Sequence, residues 1–501
     1  MSTIQPTLTD VTAAFASGKA QLVYKRLPAD LDTPVSAMLR LMEADEPCFL
    51  LESVEKGEIR GRYSVIGLRP DVIWRCVGDR AEIAHHEEMK ADHFKPCDEP
   101  ALESLRTLIE ASKVDIPDGL PPMAAGLVGY MTYDTVRLME QLPPAKEDTL
   151  NIPDAVYIRP KVMVIFDAVT DTLTISTTIW PDDKRGDASA AYDAAAARIE
   201  RVEAKLTAPY VQEAAEDLPA IHMDDFTSNT TREQYNAMID TAQEHMRAGD
   251  IFQVVLSQRF SADYKLPPFA LYRALRYLNP SPFLFYLNFA DFQLVGSSPE
   301  ILVRVRDDEV TIRPIAGTRR RGANKAEDAA LAEELLADPK ELAEHLMLLD
   351  LGRNDVGRVA KIGTVDTTKQ MEIENYSHVM HIVSNVVGEL NKDEYDALSA
   401  LAAGFPAGTT SGAPKIRAME IINELEVHKR SFYAGCVGYF SANGNMDTCI
   451  ALRTGLIKDG QLHVQAGGGV VAESTAEGEY NESVNKAKAL MKAAEMAVEF
   501  V

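Results

Sequence analysis

The chain has 501 residues, 46% of them hydrophobic, and a formal net charge of −25 from 51 basic and 76 acidic residues. That balance argues against nucleic acid and anionic membrane as partners, and it means that an anionic substrate needs a local cationic pocket or a metal. No apolar run is long enough to span a bilayer. The N-terminus lacks a secretory signal, and five scattered cysteines without zinc spacing (Cys48, Cys76, Cys97, Cys436, Cys449) point to reduced thiols in a cytoplasmic protein.

In chain order, Thr33-Pro34 reads as an N-cap with proline at the first helical position, opening a helix through Leu41. Residues 49–70 read as strand, charged turn, strand, and 126–134, after a double proline, as a tight turn. Residues 162–177 carry a hairpin signal, and 187–206 an alanine-rich helix. Periodicity is lost and acid gained over 207–228, which divides the chain into an N-terminal domain, 1–206, a linker, 207–228, and a C-terminal domain, 229–501. The second half opens with a helix over 231–248, then strands over 251–260 and 282–296, after which GSSPEILVRV leads into EVTIRPIAGTRRRG, 309–322. Leu342, Leu346 and Leu349 recur at helical spacing within a helix over 337–359. A glycine-rich turn and helix cover 405–426, and a hairpin turns at Asp459-Gly460. Many strands with few intervening helices imply antiparallel sheet, hence an α+β fold.

Near the C-terminus a strand-like run enters Gly467, Gly468 and Gly469, where glycine permits a turn whose N–H groups form an anion cradle. Glu479 and Glu482 follow, three apart on one helical face. Alone, that pattern is equally a solvated acidic first turn suited to the helix dipole. Glu341 and Glu344 repeat the spacing on the 337–359 helix, and four carboxylates without histidine or cysteine ligands suit a hard cation, magnesium before zinc. Arg453 alternates with Cys449, Ala451 and Gly455 on a strand face of small residues, a setting for bidentate carboxylate binding. His381, between Met380 and Ile382, reads first as a hydrogen-bonded core residue. Glu300 stands where a strand restarts, either a strand-end charge or an acid of raised pKa.

Taken together, LLES (50–53), SSPE (297–300), PIAGTRRRG (314–322), KELAEHLMLLDLGRNDVGR (340–358), YSHVMHIVSNVVGEL (376–390), AGTTSGAPKIRAMEII (407–422), FYAGCVGYF (432–440), DTCIALRT (447–454) and the glycine stretch resemble the chorismate-utilising enzymes, within them anthranilate synthase component I. The resemblance implies two intertwined α/β domains, with antiparallel sheets sandwiched and helices outside. It implies conversion of chorismate and ammonia to anthranilate and pyruvate, with ammonia from a separate glutamine amidotransferase subunit in a hetero-oligomer, and tryptophan as feedback inhibitor. By position it assigns Glu344 and Glu482 to Mg2+, supported by Glu341 and Glu479. Gly317, Thr318, Tyr433, Arg453 and Gly467 to Gly469 match chorismate contacts. Glu300, His381 and Thr409 match catalytic groups, and Ser53, Pro282, Phe283 and Leu284 a tryptophan site. Gln253 stands where water-activating relatives have lysine, and Ala316 where many aminodeoxychorismate synthases have one; neither side chain can act as base or nucleophile. Aminodeoxychorismate synthase, or a silent tryptophan-binding regulator, are the alternatives. Arg320 departs from the usual proline and leaves the local loop geometry open.

Overall fold

The computed structural model describes residues 3–43, 45–55, 59–85, 93–181, 187–210, 218–376 and 379–501. Its strand pairings are antiparallel throughout the described residues, as in the ladders of Ala155–Asp167 with Thr172–Ile179 and of Gln253–Asp263 with Gln461–Val470. Helices flank the strands, so the architecture is α+β.

Strands on the two sides of 207–228 pair directly. Leu284 to Asn288 lie against Glu52 to Cys48, and Cys436 to Ser441 against Met131 to Gly126. The halves are thereby intertwined. Part of the expected linker, 211–217, lies outside the described residues.

The central strands are buried on both faces. Along Cys48–Glu55, Phe49 points into one apolar cluster with Trp74, Tyr157 and Phe440, while Cys48 and Leu50 point into another with Ile66, Tyr272 and Leu490. Alternate side chains leave a strand on opposite faces, which explains a continuous rather than alternating apolar run.

Two local expectations are corrected, and the helix expected over 337–359 is present. Residues 126–131 form a wholly buried strand, Gly126–Met131, because they pair with Cys436–Ser441 about 310 positions on; a 3-10 turn follows at Tyr133–Leu138. The Pro339–Gly357 helix, capped by Asp338 through the N–H groups of Lys340 and Glu341, buries His345, Leu348, Leu349, Gly352 and Val356. Of the three periodic leucines, Leu349 is buried and Leu342 packs against the core, while Leu346 is 53% exposed. The glycines 467–469 are strand residues, opposite Ser257, Leu256 and Val255, not a turn.

Candidate active site

Glu300 sits between the strands Phe292–Ser298 and Ile301–Arg306, where Pro299 interrupts the run. It is 7% exposed. Burial pushes its carboxyl up to about 8, against weaker opposing influences from Thr409, the Ile315 backbone and Lys486. A buried carboxyl with this bias keeps its proton near neutral pH and can act as an acid. Thr409 lies in the short helix Gly408–Ser411, and its Oγ1 is buried without a hydrogen-bond partner.

His381 stands on the Val379–Glu389 strand opposite Thr318. Its Nδ1 is 3.0 Å from the Gly317 carbonyl and 3.1 Å from Thr318 Oγ1. A carbonyl only accepts, so Nδ1 carries the proton and Nε2 is left as a base. Burial, with a smaller contribution from Arg453, pulls the imidazole below its ordinary value, so it is neutral. Tyr376 packs edge-on against it, 5.3 Å between centroids. Gly317 takes φ +71° at a bulge between Ala316 and Thr318, a backbone that an L side chain resists. Arg320 is exposed and paired with Glu327, so its charge is turned away from that bulge.

Arg453 does not continue a strand face. It is a bend residue at φ +47° between Met446–Ile450 and Thr454–Lys458. The guanidinium is half-buried, burial lowers its pKa, and Tyr376 is its electrostatic neighbour. Among the described residues no carboxylate lies within ion-pair distance of it. A desolvated cation without a partner is a ready receptor for an anion. Tyr433 is buried, with its phenol meeting the Gly467 backbone and pushed up to about 12 by burial.

The glycines serve close approach. A Cβ on Gly467 would meet Leu256 O at 2.3 Å, and one on Gly469 would meet Gln253 Nε2 at 2.5 Å. A Cβ on Gly468 would stand 2.5 Å from Glu479 Oε2 and 3.4 Å from Glu482 Oε1, so both carboxylates lean over the strand there. On the facing helix, Glu344 accepts from Gln253 Nε2 at 3.1 Å and Glu341 from Arg319 at 3.1 Å. Burial raises the Glu344 and Glu479 carboxyls, and neighbouring glutamates raise both further: Glu341 and Glu482 for Glu344, Glu482 for Glu479. The two helices therefore share one negative field. Glu479 Oε1 is held by Ser474 at 2.6 Å while Oε2 is buried and unpartnered. Among the described residues, no three acidic, histidine or cysteine side chains enclose an ion by themselves. This donor set fits Mg2+, which takes one or two carboxylates and completes its shell with water and substrate. His345, beside Glu344, is a core group bonded to Ser384 at 2.7 Å, its imidazole pulled down to about 4 by burial.

Sequence reasoning did not single out Lys486 or Tyr376. Lys486 bonds Glu482 at 2.7 Å and the Gly467 carbonyl at 3.1 Å. Its one sequence signal was the i, i+4 spacing from Glu482.

On the other side of the Glu300 strand lies a cavity of about 800 Å³. Ser53, Pro282, Phe283 and Leu284 all line it, together with Pro299, Ile301 and Ile315. Pro299 and Ile301 flank Glu300 in sequence, and Ile315 supplies its backbone hydrogen bond.

Comparison with known proteins agrees with this arrangement. The chorismate binding enzyme family model matches residues 46–492. Anthranilate synthase component 1 of Cereibacter sphaeroides is 57% identical over 482 residues, 96% of each chain. The crystal structure of anthranilate synthase component I from Streptococcus pneumoniae superimposes with TM-score 0.77 at 36% identity, covering 93% of this chain and 99% of that one. The menaquinone-specific isochorismate synthase of Escherichia coli shares the fold at TM-score 0.69 and 19% identity, over 97% of this chain and 98% of that one. With the match spanning nearly the whole chain, both glutamate helices and the strands between them, this protein belongs to the chorismate-binding enzyme family, among the anthranilate synthase component 1 proteins.

Proposed function

We propose that the chain converts chorismate and ammonia to anthranilate, pyruvate and water. The observation that carries this reading is the buried Glu300, protonated near neutral pH, in a site that also holds a neutral histidine and an unpaired arginine. Ammonia forms its bond to ring C2, the ring double bonds shift, and the C4–O bond breaks. Glu300 gives its proton to the departing oxygen, which leaves as water. His381 Nε2 then takes the C2 proton. The C3–O bond breaks, the enolpyruvyl carbon gains a proton, and pyruvate leaves an aromatic ring.

Arg453 and Tyr433 hold the enolpyruvyl carboxylate, and Gly317, Thr318 and Gly467 to Gly469 let the ring approach the backbone. Thr409 sets the polarity beside Glu300. Glu344 and Glu482 would hold Mg2+, with Glu341 and Glu479 behind them. When bound, the cation supplies positive charge for the ring carboxylate. Gln253 spends its amide on Glu344 and has no basic nitrogen, which favours an external nucleophile over activated water. Ala316 offers no amine for a covalent adduct, which favours anthranilate over aminodeoxychorismate.

The ammonia comes from a glutamine amidotransferase subunit. Cys436 supports this: it is buried, and burial pushes its thiol up to about 12, the opposite of a nucleophile. Tryptophan is the proposed occupant of the large cavity. Residues 1–206 supply Ser53 to its wall, and 229–501 supply the catalytic groups. Cytoplasmic placement agrees with the free cysteines and with the absence, among the described residues, of a helix able to cross a membrane.

Two results test the metal assignment. Chelation by EDTA should abolish ammonium-dependent anthranilate fluorescence, with Mg2+ restoring it. Gly468→Ala should raise the Mg2+ concentration for half-maximal activity about tenfold or more, the scale seen when groups supporting a metal site are disturbed. Its new Cβ would displace Glu479 Oε2 while the strand pairing remains. An unchanged Mg2+ requirement would remove Glu479 from the site.

A further inference from the structure

Glu300 also lines a second, far smaller space of about 30 Å³. Its walls are mostly apolar, among them Leu302, Ile312, Pro314, Leu348 and Gly352. Such a volume takes one water molecule, provided two to four polar groups face it. Four side chains on the wall are polar: Glu300, Thr409, Asp355 and Arg313. Arg313 is committed to Glu374. Thr409 Oγ1 is buried and unpartnered; it favours the ionised Glu300 yet stands outside hydrogen-bond geometry with it. Asp355 is 7% exposed and accepts from Lys415 Nζ at 2.8 Å, joining the end of the Pro339–Gly357 helix to the start of Lys415–Leu425. Nothing in the chemistry above uses that buried ion pair.

We propose that the chamber holds one ordered water, bonded to Thr409 Oγ1 and the Glu300 carboxyl, which returns a proton to Glu300 after each turnover from the Asp355–Lys415 pair. The inference rests on Glu300 being the acid. Once Glu300 has protonated the departing oxygen, it is a buried carboxylate. The water donates one proton to it and takes one from Asp355, which draws it from Lys415 Nζ; the lysine is refilled from solvent. The ammonium nitrogen formed on C2 releases one proton in the same cycle, so the count closes. The other groups facing Glu300 are the Ile315 N–H, the Lys486 charge and Tyr376, with Arg453 beyond the tyrosine. Lys486 is committed to Glu482 and Gly467. The Tyr376 phenol is raised to about 12 and holds its proton too tightly to pass it on. Among the protein groups that face Glu300, those of the chamber are left to carry a proton.

Gly352→Ala is the test, made on the full chain with Mg2+, chorismate and ammonium. The added Cβ would stand 3.4 Å from Ile312 Cγ2 and 4.0 Å from Pro314 Cδ, ordinary contacts with two walls of the chamber. It fills the space without a clash, and alanine favours the helix. The first turnover, measured by rapid quench, should keep its wild-type rate, because Glu300 starts protonated. Steady-state turnover should fall about a hundredfold, the lower end of the range for general acid catalysis. The double variant Asp355→Asn, Lys415→Gln keeps the shape of the pair without its charge and should show the same split. Equal slowing of both phases would mark a merely structural effect and overturn the relay, as would unchanged steady-state rates in both variants. A Glu300→Gln variant with a normal first turnover would instead defeat the acid assignment on which the relay stands.

Discussion

Glu300→Gln should lower kcat roughly a thousandfold, within the range for loss of a general acid, while KM for chorismate changes little. Glutamine fills the same buried space and can keep the bond from the Ile315 N–H but has no acid proton to give. Steady-state anthranilate fluorescence measures the loss. The pH dependence has a definite sign. The Glu300 carboxyl is raised from 4.5 to about 8, so the acid form persists below about 8, and wild-type kcat should fall as pH rises through that value. The same shift fixes a stability effect. The fold binds this proton more tightly than the unfolded chain does, so the contribution is fully present below about 4.5 and is lost as pH rises to about 8. Glutamine cannot ionise. The variant should therefore equal the wild type in Tm at acid pH and exceed it near pH 8. A variant that lost both activity and stability at every pH would point to a packing role.

Arg453→Met should cost about 3 kcal/mol of chorismate transition-state binding, or roughly 150-fold in kcat/KM, the worth of one or two charged hydrogen bonds. The same change should leave Tm unaltered or raised. Arg453 has no ion-pair partner among the described residues and its pKa is lowered by burial, so the empty site carries an uncompensated desolvation cost. Arg453→Lys keeps the charge without the planar fork and should recover only part of the loss. Both substitutions keep the residue's φ of +47° equally accessible, so backbone strain does not confound them. An Arg453→Met variant with wild-type kcat/KM would remove this residue from the substrate site.

Much of this was legible in the sequence, for physical reasons that differ by element. The i, i+3 spacing of Glu341 with Glu344 and Glu479 with Glu482 placed each pair on one face without knowledge of the fold. Caps and turns were local signals too, as at Thr33-Pro34, where the helix Pro34–Leu41 begins, and at Asp459-Gly460, where Thr454–Lys458 turns into Gln461–Val470. That the two glutamate pairs serve one site came from resemblance, because nothing local encodes it.

Two of the errors share one cause. Gly467 to Gly469 suggested a turn because glycine permits one, but these positions need glycine because Leu256, Glu479 and Gln253 come too near for a Cβ. Residues 126–131 carried a proline and glycine signal for a turn, and a distant strand overrode it. Arg453 alternated with small residues and still broke from the strand. For the glycines and for 126–131, a long-range contact decided what a window of neighbours could not.

This chain alone, given ammonia, should make anthranilate. The direct measurement mixes the purified chain with chorismate, Mg2+ and an ammonium salt at mildly alkaline pH, without glutamine, and identifies the products by chromatography and mass. Anthranilate and pyruvate in equal amounts are the predicted result. Aminodeoxychorismate without pyruvate, or no consumption of chorismate, would contradict it.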